Sequence, residues 1–171
     1  MLMGWFGLDE DAQPGAADDL LGQLARDLSA QGVRVAGAVQ VNSTPDPECA
    51  CDMDVVVIGD DAPPIRISQS LGTGSTGCRL DPGALEQAAA RVSQRMAGAE
   101  LLVLPKFGRQ EALGRGFCSV IAQAVSEDLP VILHVPAQQR QAFAQFSGDL
   151  AQRIAPDDLG RWCARAVAER P

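Results

Sequence analysis

The stretch ELLVLPKFGRQEALGRGF, residues 100–117, combines a continuous apolar run, a polar glycine-rich segment and the start of a second apolar pattern. Its first part predicts a buried strand over 100–104 that ends at Pro105, because short apolar runs bounded by turn residues are typical of strands covered on both faces. Two more runs of this kind are VRVAGAVQV over 33–41 and VILHV over 131–135. Such strands, separated by helical patterns, favour a mostly parallel sheet flanked by helices.

Helical patterns and turns fill the segments between these strands. Leucines at helical spacing predict a helix over 17–30 that Gly32 ends, and Asp81 followed by Pro82 is typical of the start of a helix, here expected over 85–97. We find no repeat and no linker, so residues 1–171 are expected to form one three-layer α/β domain. The other expected elements are a strand over 2–8, a hairpin over 53–71, a polar loop over 106–116, helices over 117–126 and after Pro156, and an amphipathic region over 137–154.

The composition excludes several classes of partner. The formal net charge is −8 and the sequence pI is about 4.5, whereas nucleic acids and anionic membranes select basic surfaces. No stretch reaches the ~18 apolar residues of a spanning helix, and the N-terminal run MLMGWFGL has acidic residues after it and no basic ones before it. We therefore expect a cytoplasmic protein that binds no nucleic acid and does not insert into a membrane.

The segment DAQPGAADD, residues 11–19, lies where a phosphate-binding loop would join the first strand to the first helix. In the motif GxxxxGK[ST], backbone N–H groups surround the phosphates, the lysine neutralises charge and the hydroxyl binds Mg²⁺. Here only Gly15 remains, no lysine occurs in the loop, and Asp18 and Asp19 are expected at the positions of the Lys–Ser/Thr pair, where they would repel a triphosphate. Their alternative role is that of an N-cap and first-turn partners of the helix dipole. Any phosphate loop in this segment is therefore degenerate.

A second candidate anion site is the glycine-rich segment SQSLGTGSTGCR, residues 68–79. Glycines allow turns that expose successive N–H groups, the hydroxyls of Ser75 and Thr76 add donors beside Gly77, and Arg79 can bind an oxyanion through two N–H groups. With a helix beginning just after it, the segment suits phosphate, sulfate or molybdate. The alternative is a flexible loop in which Arg79 pairs with Asp81.

The third candidate is the loop that leaves the predicted strand 100–104. Ligands of open α/β sheets bind beyond the C-terminal ends of the strands, and this loop carries Lys106, the chain's only lysine, together with Arg109 and Arg115. These cations suit an anionic ligand, and Glu111 could act as a general base or position a metal-bound water. In the alternative interpretation Glu111 only forms ion pairs with the two arginines.

The five cysteines and the single histidine give weaker signals. Cys49 and Cys51, with Cys78 as a third ligand, could hold a soft metal, although the CxC spacing lacks a second pair or a histidine. The alternative is reduced thiols without a metal. Cys118 and Cys163 fall on helical patterns and His134 inside an apolar strand, so these three are expected in the core.

Several of these segments together resemble one bacterial family. They are GAADDLLGQLARDLSAQGVRVAGAVQVN, CACDMDV, IRISQSLG, STGCRLDPGALEQA, LLVLPKFGRQEALGRGF and LPVILHVP, and they span roughly residues 14–165. The chain resembles domain-of-unknown-function family 2478, whose members are described as NTPase-like and are in some cases associated with molybdenum ABC-transporter systems. The resemblance implies a P-loop-NTPase-like fold. Pro105 departs from the Asn-Lys-Phe-Gly expected there and removes a backbone donor.

The expected function is therefore binding of an anionic small molecule, a nucleotide or phosphate or an oxyanion, with weak or no hydrolysis. The groups expected to bind it are Ser75, Thr76, Gly77, Arg79, Lys106, Arg109 and Arg115, with Glu111 as the catalytic carboxylate if turnover occurs. Either Mg²⁺ with a nucleotide or molybdate fits this set. The alternatives are a non-catalytic accessory protein of molybdate handling, which could bind a transporter component or itself, and a cysteine-based metal carrier.

Overall fold

A mixed seven-stranded sheet forms the centre of the protein, whose computed structural model describes residues 3–43, 52–69 and 79–170. The strands are β1 Met3–Phe6, β2 Val35–Ser43, β3 Asp52–Val57, β4 Ile65–Arg66, β5 Ser68–Gln69, β6 Arg79–Leu80, β7 Leu101–Leu104, β8 Val131–His134 and β9 Ala151–Arg153. The order in the sheet is β4-β3-β2-β7-β8-β1-β9, and β5 pairs with β6 separately. Strands β2, β7, β8, β1 and β9 are parallel, whereas β3 and β4 form the antiparallel hairpin.

Helices cover both faces of this sheet, as the continuous apolar strands predict. They are α1 Ala16–Ala30, α2 Pro82–Gln94, α3 Arg109–Ala112, α4 Cys118–Ser126, α5 Arg140–Ser147 and α6 Leu159–Ala168. Helices α1 and α6 enclose one apolar cluster, while α2 and α4 enclose the other, larger one. All four residues of β7 are fully buried between the two clusters. None of the helices in the described ranges is both long and apolar enough to cross a membrane.

Local sequence explains where the elements begin and end. Asp81 caps α2 by accepting a hydrogen bond from the N–H of Ala84 at 3.1 Å, and Pro82 occupies the first turn. At Gly37, φ is +126° and an added Cβ would lie 1.8 Å from the carbonyl oxygen of Val103. Only glycine therefore allows β2 to lie this close to β7.

Three sequence-based expectations differ from the structure in detail. The helix expected over 85–97 runs over 82–94, because its cap at Asp81 lets it begin directly at Pro82. The polar loop 106–116 contains the single turn α3, which buries Glu111. The amphipathic region 137–154 contains α5 and also the edge strand β9, whose sequence AQR carries no apolar alternation.

Candidate functional site

The C-terminal edge of the parallel strands contains a polar cavity of about 540 Å³. Its walls come from the loop between β1 and α1, from the end of β8 and from the loop after β7. The side chains that face it include Asp9, Glu10, Gln13, Asp18, Lys106 and His134. This is the edge at which ligands of open α/β sheets bind.

A second, mostly apolar cavity of about 320 Å³ adjoins the first. Apolar side chains of β3, of the segment after β4, of β6, of α2 and of the residue before α4 line it, namely Met53, Val55, Ile67, Leu80, Leu85 and Phe117. Lys106, Pro136 and Gln138 line both cavities. The two cavities therefore lie side by side, and Lys106 is the charged residue that lines both.

Lys106 lies two residues beyond the end of β7, after Pro105, and is half-buried. It lies close enough to Asp18 and Glu111 to favour their charged forms, and close enough to His134 to disfavour its protonation. Among the described residues, however, no carboxylate lies within 4.0 Å of its ammonium group. This charge thus faces the cavities without a direct ion-pair partner from the described residues.

Helix α1 begins at the polar cavity without the groups of an intact phosphate loop. Gly15 is the N-cap residue, with φ of +81°, and makes no side-chain capping bond. The expectation that Asp18 and Asp19 stand at the positions of the motif's lysine and hydroxyl is wrong, because Ala16 and Ala17 follow Gly15 there, so neither group is supplied. Neither Asp18 nor Asp19 caps the helix, so that part of the expectation is wrong, but both lie in its first turn, as expected of partners of the helix dipole.

Asp18 instead belongs to a chain of polar side chains that reaches across to β2. Its Oδ2 accepts a hydrogen bond from Nδ2 of Asn42 at 2.7 Å, and Oδ1 of Asn42 accepts one from Nε2 of Gln40 at 2.9 Å. Burial raises the pKa of Asp18, although the Asn42 hydrogen bond and the Lys106 charge oppose the shift. The chain ends at Oε1 of Gln40, which is buried and has no hydrogen-bond partner among the described residues.

Glu111 stabilises the conformation of the loop after β7. Its Oε2 accepts the N–H of Gly108 at 2.9 Å and its Oε1 accepts the N–H of Phe117 at 3.0 Å. The side chain is buried, and burial raises its pKa even though the two N–H groups favour the carboxylate. The alternative that it pairs with Arg109 and Arg115 is wrong, because neither guanidinium lies within 4.0 Å of it. Its assignment as a general base stays a prediction.

The remaining cations contribute unequally. Arg109 is exposed and lines the apolar cavity, whereas Arg115 is exposed and lines neither cavity. Arg140, at the start of α5, donates to the carbonyl of Leu8 at 3.3 Å, and its Nε is buried without a partner among the described residues.

His134 is placed differently from the sequence-based expectation. It packs against Phe6, with ring centroids 5.3 Å apart, but it also lines the polar cavity instead of lying wholly in the core. Burial, with the nearby charges of Lys106 and Arg140, lowers the pKa of its imidazole to about 4. The thiols predicted to lie in the core are indeed buried, and burial raises the pKa of Cys118 to about 11 and that of Cys163 to about 12.

Two predicted sites fall on segments outside the described residues. These are the anion-binding residues Ser75, Thr76 and Gly77 and the metal-binding residues Cys49, Cys51 and Cys78. Arg79 is described through its backbone alone, which pairs in β6 with Gln69 of β5. The described residues themselves contain no group of three or more His, Cys, Asp or Glu side chains able to hold a metal ion.

Gln40, which lines the apolar cavity, was not singled out from the sequence, and neither were its partner Asn42 or Arg140, which line neither of the two cavities. Gln40 had a detectable signal, because it is a polar residue at a core-facing position of the apolar run VRVAGAVQV. Asn42 and Arg140 had none, since they reach the site only through the pairing of β2 and the position of α5.

The fold is shared with a solved structure of low sequence similarity. The crystal structure of THEP1 from the hyperthermophile Aquifex aeolicus superimposes with a TM-score of 0.60 at 12% identity, covering 99% of each chain. The predicted α/β, P-loop-NTPase-like fold with a mostly parallel sheet is thereby confirmed.

One sequence relative is a longer protein, of which only a part aligns with this chain. The "Molybdenum import ATP-binding protein ModC 2" of Bradyrhizobium diazoefficiens is 33% identical over 153 residues, which is 89% of this chain. The match covers 16% of that relative's length. Residues 10–162 also match the model of the family described as "Protein of unknown function (DUF2478)", so the resemblance found in the sequence is confirmed and the chain belongs to that family.

Proposed function

We propose that this protein binds an anionic small molecule, most simply a nucleotide, at the C-terminal edge of its parallel sheet, with Lys106 as the main cation. The observation that carries the proposal is the half-buried Lys106, which lines both cavities and whose ammonium has no carboxylate of the described residues within 4.0 Å. An anion there would gain a charge-assisted hydrogen bond in partly desolvated surroundings.

Other features of the polar cavity support the same ligand class. The N-terminus of α1, a helix of 15 residues, opens on this cavity at Gly15 and contributes the positive end of its dipole. Asp9, Glu10 and Asp18 also line the cavity and would repel a bare triphosphate. Mg²⁺ on the phosphates would reduce this repulsion, so we expect the nucleotide to bind as its Mg²⁺ complex. Ala17 offers no hydroxyl ligand to a resident ion, so the Mg²⁺ is expected to arrive with the nucleotide.

Turnover is expected to be slow or absent. An active P-loop NTPase stabilises the developing charge with the lysine of its loop, and Ala16 stands at that position here. Glu111 is the carboxylate proposed as base, but each of its oxygens already accepts a backbone N–H. Hydrolysis would require one of those oxygens also to take a proton from water.

Thermal unfolding of the wild type and of Lys106→Gln tests the proposal. The ligands are ATP, GTP and ADP with and without Mg²⁺, and inorganic phosphate. A ligand at a hundred times its Kd stabilises the wild type by about 2.7 kcal/mol, a rise in Tm of roughly 5–10 °C for a chain of this size. Lys106→Gln should lose most of that rise, since a hydrogen bond to a charged group contributes about 1.5–3 kcal/mol.

The matched control is Arg165→Gln, which removes an exposed cation from α6 and touches neither cavity. It should respond to ligands like the wild type. Equal ligand-induced shifts in wild type and Lys106→Gln, or no shift with any of these ligands or with the oxyanions considered next, would overturn the proposal.

A molybdate-related accessory role is the second candidate, because the relative that matches 89% of this chain is named for molybdenum import. In that case molybdate or tungstate should raise the Tm without nucleotide, while sulfate serves as the comparison oxyanion. Arg79→Ala should abolish the effect if the segment 68–79 forms the oxyanion site. A nucleotide-dependent shift with no response to molybdate would exclude this candidate.

A further inference from the structure

We propose that Gln40 selects the ligand by accepting a hydrogen bond from the amino group of a flat ring in the apolar cavity, as the 6-amino group of adenine supplies. This inference rests on the proposed function, since the ring is expected to belong to the molecule whose anionic part Lys106 binds. It adds the chemistry of the uncharged half of that molecule.

The position of Gln40 is unusual for an amide. The side chain is 6% exposed and lines the apolar cavity, yet its Oε1 has no hydrogen-bond partner among the described residues. Buried amide oxygens nearly always have a partner, because an unpaired one loses its hydration without compensation. A ligand that brings an N–H group into this cavity would supply the missing donor.

Strand geometry places Gln40 on the cavity side of the sheet. Side chains alternate along a strand, and Ala36 and Ala38 of β2 belong to the apolar cluster beneath α2 and α4. Gln40 is the next residue on that face and pairs with Val55 of the neighbouring strand β3, which also lines the apolar cavity.

The hydrogen-bond chain determines which amide atom remains unpaired. Because a carboxylate only accepts hydrogen bonds, Asp18 turns the NH₂ of Asn42 towards itself. Oδ1 of Asn42 is then the atom that meets Gln40, which must present its NH₂ in return. The atom of Gln40 left without a partner is therefore the oxygen, an acceptor.

The arrangement of the two cavities indicates which other chemical groups the ligand carries. The apolar cavity has about 320 Å³, within the range of small-molecule sites, and its walls are mainly aliphatic and aromatic. It lies beside the polar cavity and shares Lys106, Pro136 and Gln138 with it as lining residues. A ring in the first and phosphates in the second describe a nucleoside phosphate, and the acceptor Gln40 favours an adenine ring over one without an amino group.

Titration calorimetry with three ligands tests this inference. They are ATP, purine riboside 5′-triphosphate, which lacks only the 6-amino group, and inorganic triphosphate, all with Mg²⁺. The wild type should bind ATP about tenfold more tightly than the purine analogue, a difference of about 1.4 kcal/mol. Gln40→Met, nearly the same in shape, should bind the two nucleotides equally and inorganic triphosphate as the wild type does.

Gln139→Met is the control, because Gln139 lines the same cavity but has no unpaired buried atom. It should keep the tenfold preference. Equal binding of both nucleotides by the wild type, or an unchanged preference in Gln40→Met, would overturn the role of Gln40 while inorganic triphosphate still binds. Failure of all three ligands to bind would instead overturn the proposed nucleotide site and this inference with it.

Discussion

Replacing Glu111 by glutamine distinguishes a scaffold from a general base. In the structure the two carboxylate oxygens accept the N–H groups of Gly108 and Phe117 at 2.9 and 3.0 Å, and the side chain is 3% exposed. Glutamine keeps one acceptor and turns an NH₂ donor towards the other N–H group. One buried hydrogen bond is lost and its donor left unpaired, which is worth about 1–3 kcal/mol.

Relief of the buried charge offsets part of this loss, because burial already raises the pKa of Glu111. We therefore expect Glu111→Gln to lower the free energy of unfolding by about 1–2 kcal/mol, close to 2–8 °C in Tm. Urea unfolding followed by tryptophan fluorescence measures it, with Trp162 buried against the core. The control is Glu86→Gln, an exposed carboxylate of α2 whose Oε1 accepts the N–H of Gly116 on the same loop at 2.5 Å, expected within about 0.5 kcal/mol of the wild type.

A Glu111→Gln variant as stable as Glu86→Gln would refute the scaffold role. If it also lost Mg²⁺-dependent phosphate release that the wild type shows, the general-base interpretation would be supported instead. Loss of stability together with weaker anion binding is the result expected from a loop that positions Lys106.

Other consequences concern the sheet, the histidine and the cysteines. Gly37→Ala should lower the free energy of unfolding by at least about 2 kcal/mol in denaturant titrations, since φ is +126° and the new Cβ meets the carbonyl oxygen of Val103; a loss below 0.5 kcal/mol would contradict the close approach of β2 and β7. The pKa of His134 is about 4 in the folded protein and 6.5 in the unfolded chain, so protonation of His134 favours unfolding. The free energy of unfolding should therefore fall as the pH goes from 6.5 towards 4, by about 1–2 kcal/mol after allowance for the partial exposure of the imidazole. His134→Asn should flatten that part of the profile. An anion in the polar cavity should raise the pKa of His134, so the affinity of the protein for the anion should increase as the pH falls from 7 to 5. Isothermal titration should show this trend in the wild type and not in His134→Asn. Stoichiometric metal in the purified protein, lost in Cys49→Ser/Cys51→Ser, would support the metal-carrier hypothesis, and metal-free protein would remove it.

The sheet was predictable because its strands are buried on both faces. The runs over 100–104 and 131–135 contain only two polar residues, Glu100 at the start of the first and His134 near the end of the second. Composition alone therefore predicts that they are strands and that both of their faces are buried. The edge strand β9 was missed for the complementary reason. It is three residues long and mostly exposed, and it pairs with β1 only because α5 delivers it there.

The site was predictable in part. Lys106 could be placed at the strand ends from the apolar run before it, and the structure places it there. The roles of Glu111 and Asp18 could not be predicted from the sequence. Glu111 accepts the N–H of Phe117 because of the turn α3, and Asp18 accepts the amide N–H of Asn42 because of the pairing of β2. Such contacts are set by three-dimensional packing and leave no periodic signal in the chain.

The central claim is that Lys106 contacts the anionic ligand, and its being the chain's only lysine permits a direct measurement. Protein labelled with ¹³C and ¹⁵N in lysine alone should give a single set of lysine side-chain NMR signals, which can be followed while Mg²⁺–ATP or molybdate is added. The account predicts a saturable change in the Lys106 ammonium signal, with the same Kd that calorimetry gives. A ligand that binds in calorimetry and leaves the Lys106 signal unmoved would contradict it.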